Sequence, residues 1–251
     1  MEKRVIVLHK KEGETPLFAL EKFRKKHPEY LGAPMTYAGR LDPMASGVLV
    51  ILAGKETKNK EKYLNLDKKY DFRVLFGFST DTHDILGKVL DAGLCNLEKQ
   101  DFIFEIKRNL KYFKGKLKQA YPIYSSKTVA GKPLFSYARG NKDVKIPERQ
   151  IFIKKLQLKK VGKISNKSLF LNIKRRISKM KGDFRQAEIL TLWKERLQKT
   201  KKSQSFYVAE FQIECSSGTY VRKIADSLGE KMKIPSLAFS IKRTKVGKFG
   251  K

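Results

Sequence analysis

Cysteine and histidine are scarce in this sequence, and their scarcity excludes several kinds of site. The chain has two cysteines, Cys95 and Cys215, which stand far apart, and three histidines at unrelated positions. Two distant cysteines are too few for a disulfide framework or a zinc site. The histidines do not have the spacing of metal ligands either. We therefore expect a reduced protein that binds no metal.

Long hydrophobic runs are also missing. The longest apolar run is the six residues Val48–Ala53, whereas a membrane-spanning helix needs about 20. The run Val5–Leu8 near the N-terminus is far too short for the apolar region of a signal peptide. We expect a cytoplasmic protein with no membrane segment.

The motifs of the common cofactor-dependent enzymes are absent as well. There is no G-x-x-x-x-G-K-[ST] phosphate loop, no G-x-G-x-x-G dinucleotide fingerprint and no H-E-x-x-H pair. The Cys/His zinc set of the nucleobase deaminases is missing too. An enzyme built from this chain must therefore work with its own side chains, and we expect no cofactor.

Acidic residues are few beside the basic ones. The sequence has 25 Asp and Glu against 56 Lys and Arg, a formal net charge of +31. Such a charge repels itself in the folded state, so RNA or DNA is the most economical partner. An anionic membrane surface is a weaker alternative, because no basic amphipathic helix with an aromatic face stands out. A generally lysine-rich proteome would account for part of the excess.

Apolar residues recur with regular spacing along most of the chain. The alternating runs predict strands over residues 69–77, 151–161, 168–174 and 206–215. Helical spacing predicts helices over residues 17–27, 98–113 and 219–233, and a further helix around 184–197. Strands that are both adjacent and helix-separated indicate an α+β protein with a mixed sheet. Since no linker interrupts the pattern, we expect a single domain over residues 1–251.

One acid in this basic chain has an unusual setting. Asp42 lies between Arg40 and Pro43 in Y-A-G-R-L-D-P-M-A-S-G-V-L, just ahead of the longest apolar run. Asp-Pro is a common turn opener, so a plain turn is one interpretation. The other is a nucleophilic carboxylate, kept ionised by a nearby cation, that attacks a sugar or base carbon while a glycosidic bond breaks and re-forms.

The candidate cation is Arg222, in the stretch C-S-S-G-T-Y-V-R. It belongs to the first turn of a predicted helix whose inward face carries Val221, Ile224 and Leu228. From there an arginine could point past the core towards the strand ends. One surface arginine among many is the alternative interpretation.

Two segments are suited to RNA. Residues 121–141 interleave aromatic residues with cations and small residues, a mixture that stacks on unpaired bases and grips phosphates; we call them the RNA-gripping loop. Residues 174–205 are densely basic and include an apolar stripe formed by Phe184, Ala187, Leu190, Trp193 and Leu197. We call this segment the basic insertion.

Six motifs in collinear order resemble those of the TruB pseudouridine synthases. They are G-R-L-D-P-M-A-S-G-V-L, K-K-Y-D-F, S-T-D-T-H-D, Y-P-I-Y-S-S-K with G-K-P-L-F-S-Y-A-R-G, C-S-S-G-T-Y-V-R, and I-K-R near the end. That family isomerises uridine 55 in the T-loop of tRNA without a cofactor. The resemblance implies the pseudouridine synthase fold, a mixed and mainly antiparallel sheet flanked by helices around a central basic cleft. It also implies tRNA, through its T-arm, as the partner.

The resemblance assigns roles to single residues. It makes Asp42 the nucleophile, Arg222 its partner, and Tyr70 the active-site tyrosine that packs against the target base. It places Tyr220 and Ile241 against the base and makes Asp81 a residue that helps to order the site. We expect further substrate contacts from Lys10, which survives from the family's N-terminal N-K-P-x-G motif, and from Tyr37, which stands where the family usually has histidine. Arg40 and residues of the RNA-gripping loop should contribute as well: Tyr124, Ser126, Lys127, Lys132, Tyr137 and Arg139.

The sequence also departs from the family pattern. Tyr37 and Ala38 stand where the family usually has His-Thr, so the residue expected to help flip the base is aromatic here. The G-R-L-D with Arg40 is closer to the ribosomal RNA synthases of RluA and RsuA type. The chain ends soon after I-K-R, so we expect a form without the C-terminal PUA domain.

The basic insertion is longer than the connection usually found in the family at this point. We expect it to grip tRNA outside the T-loop, or else to be a solvated decoration. We expect the protein to be a monomer. Two alternatives to a tRNA synthase stay open: a synthase acting on ribosomal RNA, and a non-catalytic RNA-folding protein on the same scaffold.

Overall fold

The structure is a computed structural model and describes residues 4–250. Its strands are β1 (Arg4–Lys10), β2 (Met35–Ala38), β3 (Ala45–Ala53), β4 (Lys68–Phe76), β5 (Phe78–Thr80), β6 (Val89–Ala92), β7 (Gly115–Ala120), β8 (Thr128–Val129), β9 (Lys132–Pro133), β10 (Glu148–Ser165), β11 (Ser205–Cys215), β12 (Ser236–Val246) and β13 (Phe249–Gly250). Its helices are α1 (Pro16–Lys26), α2 (Lys60–Leu64), α3 (Lys99–Asn109), α4 (Leu134–Arg139), α5 (Asn166–Ile177), α6 (Gln186–Gln198) and α7 (Val221–Met232). Short 3₁₀ segments cover Pro28–Tyr30, Gly54–Asn59 and Leu110–Phe113. Between residues 4 and 250, no helix has the length and apolar character needed to cross a membrane.

One large sheet organises these elements. Its strands run in the order β1-β3-β12-β4-β11-β10-β7, with β2 paired to β3 and β13 paired to β12. The β3–β12 pair is parallel, while the neighbouring pairs are antiparallel. The sheet is therefore mixed and mainly antiparallel, which confirms the predicted α+β class.

The sheet is covered on both faces. On one face, alternate residues of β4 (Tyr70, Phe72, Val74 and Phe76) pack into one cluster with α3 and α7, as expected from the period of two in a strand. The intervening Leu75 points to the opposite face, into a second cluster formed with α5 and α6. The alternating pattern of β4 and the helical stripe of α7 were predicted correctly.

The segment that leads into the basic insertion corrects one prediction. Residues 168–174, expected to form a strand, are helical and belong to α5. Leu169, Ile173 and Ile177 recur every four residues and are fully buried, and the side chain of Ser165 caps the helix by accepting a hydrogen bond from the Ser168 amide. The apolar run S-L-F-L-N-I is short enough to fit either a strand or a helix, so periodicity alone could not decide.

The next helix, α6, docks by most of the expected stripe: Trp193 and Leu197 are buried, and Leu190 packs against the same cluster, as does Phe184 just ahead of the helix. The prediction was wrong for Ala187, which is exposed, and it missed Ile189, which is buried. The indole Nε1 of Trp193 donates to the carbonyl of Ile85, 3.2 Å away. The basic insertion is thus anchored in the core that covers one face of the sheet.

Candidate active site

Asp42 lies in the loop that joins β2 to β3, three residues before β3 begins at Ala45. The Ala45 amide donates to the Asp42 carbonyl at 2.9 Å, so the residue does open a turn. Two residues into β3, Gly47 has a φ of +108°, and a Cβ there would overlap the carbonyl oxygen of Arg243 on β12. Glycine at 47 therefore lets β12 approach the start of β3 closely. The turn interpretation and the reactive one are both consistent with this geometry. We call Gly39–Met44 the nucleophile loop.

The guanidinium of Arg222 is paired with the Asp42 carboxylate. Its Nε lies 2.8 Å from Asp42 Oδ2, and its Nη2 lies 3.4 Å from Oδ1. Nη1 donates to the Thr82 carbonyl at 2.9 Å, and Nη2 also donates to the Tyr124 carbonyl at 2.8 Å. Arg222 is 2% exposed, whereas the Asp42 side chain is 35% exposed. The arginine is thus fixed by the protein, and the carboxylate is the open end of the pair.

The charge of Arg222 is secured by two acids. Burial works against the charged guanidinium, but Asp42 and Asp84 outweigh it and raise the pKa of Arg222 above its ordinary value. Asp84 is buried, and its Oδ1 accepts hydrogen bonds from the Thr82 hydroxyl (2.7 Å) and the Leu86 amide (2.9 Å). Burial raises the pKa of Asp84, while the charge of Arg222 acts in the opposite direction.

Sequence reasoning chose the other acid of the S-T-D-T-H-D motif. In the structure the carboxylate of Asp81 is bound to other groups. Its Oδ1 accepts a hydrogen bond from the Lys88 amide at 2.8 Å, and its Oδ2 accepts one from Arg185 at 3.1 Å. The apolar Ile85-Leu86 pair that follows Asp84 was the signal that could have identified the buried acid, because both residues lie in the core.

Two buried cations hold the nucleophile loop from below. Arg243 on β12 is 1% exposed, and its guanidinium donates to the carbonyls of Val48 (2.8 Å), Arg40 (3.1 Å) and Gly39 (3.1 Å). The interpretation of the I-K-R motif had singled out Ile241 and missed Arg243. Its place in the I-K-R motif is the signal that could have identified this cation.

Lys10 is the second of these cations. It is 1% exposed, and its ammonium donates to the carbonyls of Glu14 (2.6 Å), Lys11 (3.0 Å) and Pro43 (3.3 Å). Burial lowers the pKa of Lys10 to about 8. Lys10 was expected to contact the substrate, but the structure turns it inward, onto the residue that follows Asp42.

Two predicted apolar contacts, Tyr70 and Ile241, gather beside Asp42. Tyr70 and Ile241 are each 8% exposed and share a buried cluster with Leu41 of the nucleophile loop. Burial raises the pKa of Tyr70 to about 12, and the charge of Asp42 adds to this shift. The phenol therefore keeps its proton at neutral pH.

Tyr220 borders the same region at the N-terminus of α7. The Arg222 guanidinium carbon lies 5.5 Å from the centre of its ring, and the Tyr121 ring meets it edge-on at 5.7 Å. Burial and, after it, the charge of Asp42 raise the pKa of Tyr220. The predicted catalytic residues Asp42, Tyr70 and Arg222 are thus brought together, with Tyr220 at their edge.

Tyr37 and Arg40 lie on the outer side of the nucleophile loop. The guanidinium carbon of Arg40 and the ammonium of Lys60 are each 6.0 Å from the centre of the Tyr37 ring. Arg40 also donates to the Ser126 hydroxyl at 2.6 Å and so ties the nucleophile loop to the RNA-gripping loop.

The RNA-gripping loop contains the small β8–β9 ribbon and α4. The Tyr137 hydroxyl donates to the Val129 carbonyl at 3.0 Å and closes the loop on itself. The ammonium of Lys127 lies 5.5 Å from the Tyr121 ring, so a cation and an aromatic surface stand together. The predicted phosphate-gripping side chains are exposed: Ser126, Lys127, Lys132 and Arg139.

This arrangement supports covalent catalysis by a carboxylate. An acid with one face open, a fixed guanidinium behind it and an apolar floor fits attack on a carbon atom of a flipped nucleotide. Among residues 4–250, no group of three or more His, Cys, Asp or Glu side chains could hold a metal ion.

Comparison with known proteins identifies relatives along nearly the whole chain. Residues 32–184 match the family model described as "TruB family pseudouridylate synthase (N terminal domain)". The tRNA pseudouridine synthase B of Lactobacillus acidophilus is 34% identical over 240 residues, which cover 95% of this chain and 67% of the relative. The enzyme of the same name from Bacillus subtilis is 31% identical and covers 98% of this chain and 65% of the relative. The chain thus spans about two thirds of the length of these curated relatives.

Solved structures share the fold at lower identity. The crystal structure of a Cbf5–Nop10–Gar1 complex matches with a TM-score of 0.57 and 16% identity, over 98% of this chain and 50% of that chain. An H/ACA ribonucleoprotein bound to a substrate RNA containing 2′-deoxyuridine matches with a TM-score of 0.53 and 14% identity, over 98% of this chain and 48% of that chain. These likenesses concern the fold alone.

Proposed function

Because the chain belongs to the TruB family of pseudouridylate synthases, we propose that it is a tRNA pseudouridine synthase that isomerises uridine 55 in the T-loop. The observation that carries the proposal is the Asp42–Arg222 pair, in which a fixed guanidinium lies behind a carboxylate that remains 35% exposed. A protein that only bound RNA would not need this pair, because phosphate contacts supply most of the affinity.

In the proposed reaction the target uridine is first flipped out of the folded loop. Flipping costs a few kcal/mol, which stacking on aromatic side chains and phosphate contacts offset. Tyr70 and Ile241 supply the apolar floor for the base, and Tyr220 supplies an aromatic edge. Since the pKa of Tyr70 is raised to about 12 by burial, its ring is presented to the base as a neutral surface.

Asp42 then attacks the nucleotide, at the sugar or at the ring. The N-glycosidic bond breaks, the uracil rotates, and it is attached to the sugar again through a ring carbon, while the bond to Asp42 is broken. The hydrogen of that carbon leaves as a proton, and the ring nitrogen released from the sugar takes up a proton, so the product is an isomer of the substrate. Arg222 keeps Asp42 oriented by donating hydrogen bonds to its carboxylate oxygens, while Arg243 and Lys10 fix the carbonyls on both sides of it. The arrangement keeps the nucleophile in place before RNA arrives, which lowers the entropic part of the barrier.

The proposal extends to the organisation of the protein. The described residues act as one catalytic domain with a docked basic insertion, and the exposed cations of the RNA-gripping loop hold the T-arm. We propose further that the protein acts as a monomer in the cytoplasm and needs no metal ion. Light scattering on the purified protein tests the monomeric state.

The activity is tested with the purified protein and a T-arm stem-loop. Nucleoside chromatography of the digested product should show pseudouridine at position 55, and a stem-loop carrying cytidine there should stay unmodified. A ribosomal RNA fragment with an exposed uridine is the comparison for the alternative target, which Arg40 favours. Conversion of that fragment in preference to the stem-loop would overturn the choice of tRNA, and the absence of product from every RNA would favour an RNA-folding protein. Mapping pseudouridine in total tRNA and ribosomal RNA, with and without the gene, extends the test to the cell.

A further inference from the structure

The basic insertion is built into the wall of the active site. Its residues Ile189 and Trp193 share a buried cluster with Met44, which closes the nucleophile loop two residues after Asp42. Between α5 and α6, the Lys181 amide donates to the Gly13 carbonyl at 3.0 Å. The Gly13 amide in turn donates to the Pro43 carbonyl at 3.0 Å. A surface tail would make neither set of contacts.

One side chain of the insertion reaches the site itself. Arg185 Nη1 lies 3.1 Å from Asp81 Oδ2 and 2.9 Å from the Tyr124 hydroxyl, and its guanidinium carbon lies 4.7 Å from the centre of the Tyr124 ring. The Arg185 side chain is only 24% exposed. Charge-assisted hydrogen bonds of this kind are stronger than those between neutral groups.

Tyr124 connects Arg185 to Arg222. Its side chain is held by Arg185, and its carbonyl oxygen accepts a hydrogen bond from Arg222 Nη2 at 2.8 Å. The same guanidinium is paired with Asp42. A continuous path therefore runs from the basic insertion through one residue of the RNA-gripping loop to the nucleophile.

The backbone of Arg185 indicates that this position is under constraint. Its φ is +62°, in the left-handed region, although arginine has a Cβ and the residue directly precedes α6. A residue at this point of a helix normally has an extended backbone. Such outliers persist where the surroundings fix them, and they are frequent at functional sites. Asp183 helps to fix the turn, because its carboxylate accepts from the Arg185 amide at 3.1 Å.

We propose that Arg185 is a positioning residue, which holds Tyr124 against Asp81 and thereby sets the RNA-gripping loop over Asp42 before RNA binds. The inference rests on the proposed function for its catalytic consequence. The basic insertion would then help to position the RNA-gripping loop, in addition to any contact that it makes with tRNA outside the T-loop. The arginine acts through Tyr124 and does not touch the reacting atoms.

The first test uses the free protein. Hydrogen exchange of the backbone amides in residues 121–127 should be at least about threefold faster in Arg185→Ala and Arg185→Gly than in the wild type. Glycine relieves the left-handed backbone and alanine does not, so agreement between the two variants assigns the effect to the guanidinium. Arg108→Ala is the control, because it removes an arginine–carboxylate pair from the exposed surface of α3 and should leave the exchange of residues 121–127 unchanged.

The second test uses single turnover on the T-arm stem-loop. Both Arg185 variants should be about 10- to 100-fold slower, as expected when a catalytic group is slightly misplaced, while the salt dependence of binding stays as in the wild type. Arg185→Lys should fall between the wild type and Arg185→Ala, since a lysine can satisfy one of the two acceptors. In a Tyr124→Phe background, Arg185→Ala should cost clearly less than alone, because the two changes break the same contact.

Each other outcome overturns the inference. Unchanged exchange and unchanged turnover would leave Arg185 without a role. Slower turnover with unchanged exchange and a salt slope lower by roughly one unit would make Arg185 a phosphate contact. If Arg185→Ala fails to fold, Tyr124→Phe must show the faster exchange alone, and normal exchange there counts against the proposal. A wild type that forms no pseudouridine would overturn the proposed function, whereas the exchange measurement would still decide the structural inference.

Discussion

Two loops meet over Asp42, and the protein holds them in opposite ways. The nucleophile loop is fixed from beneath by side chains that are almost completely buried, since Arg243 and Lys10 donate to the carbonyls of Gly39, Arg40 and Pro43. The RNA-gripping loop consists mainly of exposed and half-buried residues and is tied to the rest of the site through contacts that include Ser126 and the two ends of Tyr124. The proposed nucleophile is thus held on a buried support, while the surface proposed to bind RNA is the more open of the two.

The largest expected effect separates chemistry from binding. Asp42→Asn removes the nucleophile but keeps an oxygen that can accept from Arg222, so the loop should stay folded. Turnover on a T-arm stem-loop should fall by at least about 10⁴-fold. Affinity for the same RNA should stay within a few-fold, because phosphate contacts dominate it. Residual turnover within tenfold of the wild type would exclude Asp42 as the nucleophile.

Arg222→Lys tests whether the position of Asp42 in the nucleophile loop depends on the planar guanidinium of Arg222. Arg222 serves both Asp42 oxygens and two backbone carbonyls at once, and a lysine ammonium is a point charge that cannot reproduce this geometry. We expect turnover to fall by about 10²–10³-fold, similar to the loss of a preorganised donor in other active sites. Asp84 is unchanged in this variant, and its carboxyl group continues to favour a positive charge at position 222. Near-normal single-turnover rates in a folded variant would show that charge alone is sufficient.

The burial of Lys10 beneath the nucleophile loop should also change how the free energy of unfolding depends on pH. The pKa of Lys10 is lowered from 10.5 to about 8 by burial, so between these values the unfolded state binds more protons than the folded state. The contribution of Lys10 to the free energy of unfolding should therefore rise with pH across this window, by about 2–3 kcal/mol in total.

Urea unfolding from pH 7.5 to 10.5 checks this prediction against Lys10→Met, which cannot titrate at this position. The difference in unfolding free energy between the wild type and Lys10→Met should grow in favour of the wild type as pH increases. A constant difference would mean that Lys10 titrates normally, which its burial argues against.

The same contrast explains what the sequence could predict. The alternation in β4 and the helical stripe of α7 follow from the period of apolar residues, and both were predicted from the pattern alone. The pairing of Asp42 with Arg222, 180 positions apart, came from the motifs, because spacing in the sequence says nothing about contacts at that distance.

The inward orientation of Lys10 and the role of Arg185 could not be predicted, because charge in a chain with a net charge of +31 normally indicates a solvated surface. Arg185 looks like its exposed neighbours in the sequence, and only its contacts distinguish it. The strand predicted over residues 168–174 failed for a related reason. A short apolar run becomes a strand only where a sheet neighbour is available, and here the docking of Leu169 and Ile173 into the core decides for a helix.

A smaller effect is expected where the two loops touch. Tyr37 lies within 6.0 Å of the cations of Arg40 and Lys60 and stands where the family usually has histidine. If its ring fills the space left by the flipped base, Tyr37→Ala should lose about 1–3 kcal/mol of stacking, which corresponds to a turnover about 5- to 150-fold slower on a folded T-loop. An unstructured oligonucleotide with the same uridine is the matched substrate, and it should be affected less. Equal losses on both substrates would argue against a role in flipping.

The smallest expected effect concerns the outer surface of the basic insertion, which is exposed although its inner face is buried. Lys174, Arg175 and Lys179 point to solvent at the end of α5 and just beyond it, where they could contact tRNA outside the T-loop. Replacing all three by alanine should weaken binding of full-length tRNA a few-fold. It should also lower the salt slope of binding by roughly one unit for each phosphate that these side chains neutralise in the wild type.

Turnover of the triple variant on the minimal stem-loop should be unchanged, because that RNA does not extend to the insertion. The matched control replaces Lys99, Lys107 and Lys114, which are exposed on or near α3, whose core lies on the other face of the sheet. It removes the same charge and should change the salt slope less. If both triple variants lower the slope equally, the insertion contributes only to the general positive field, and its specific purpose is the one assigned to Arg185.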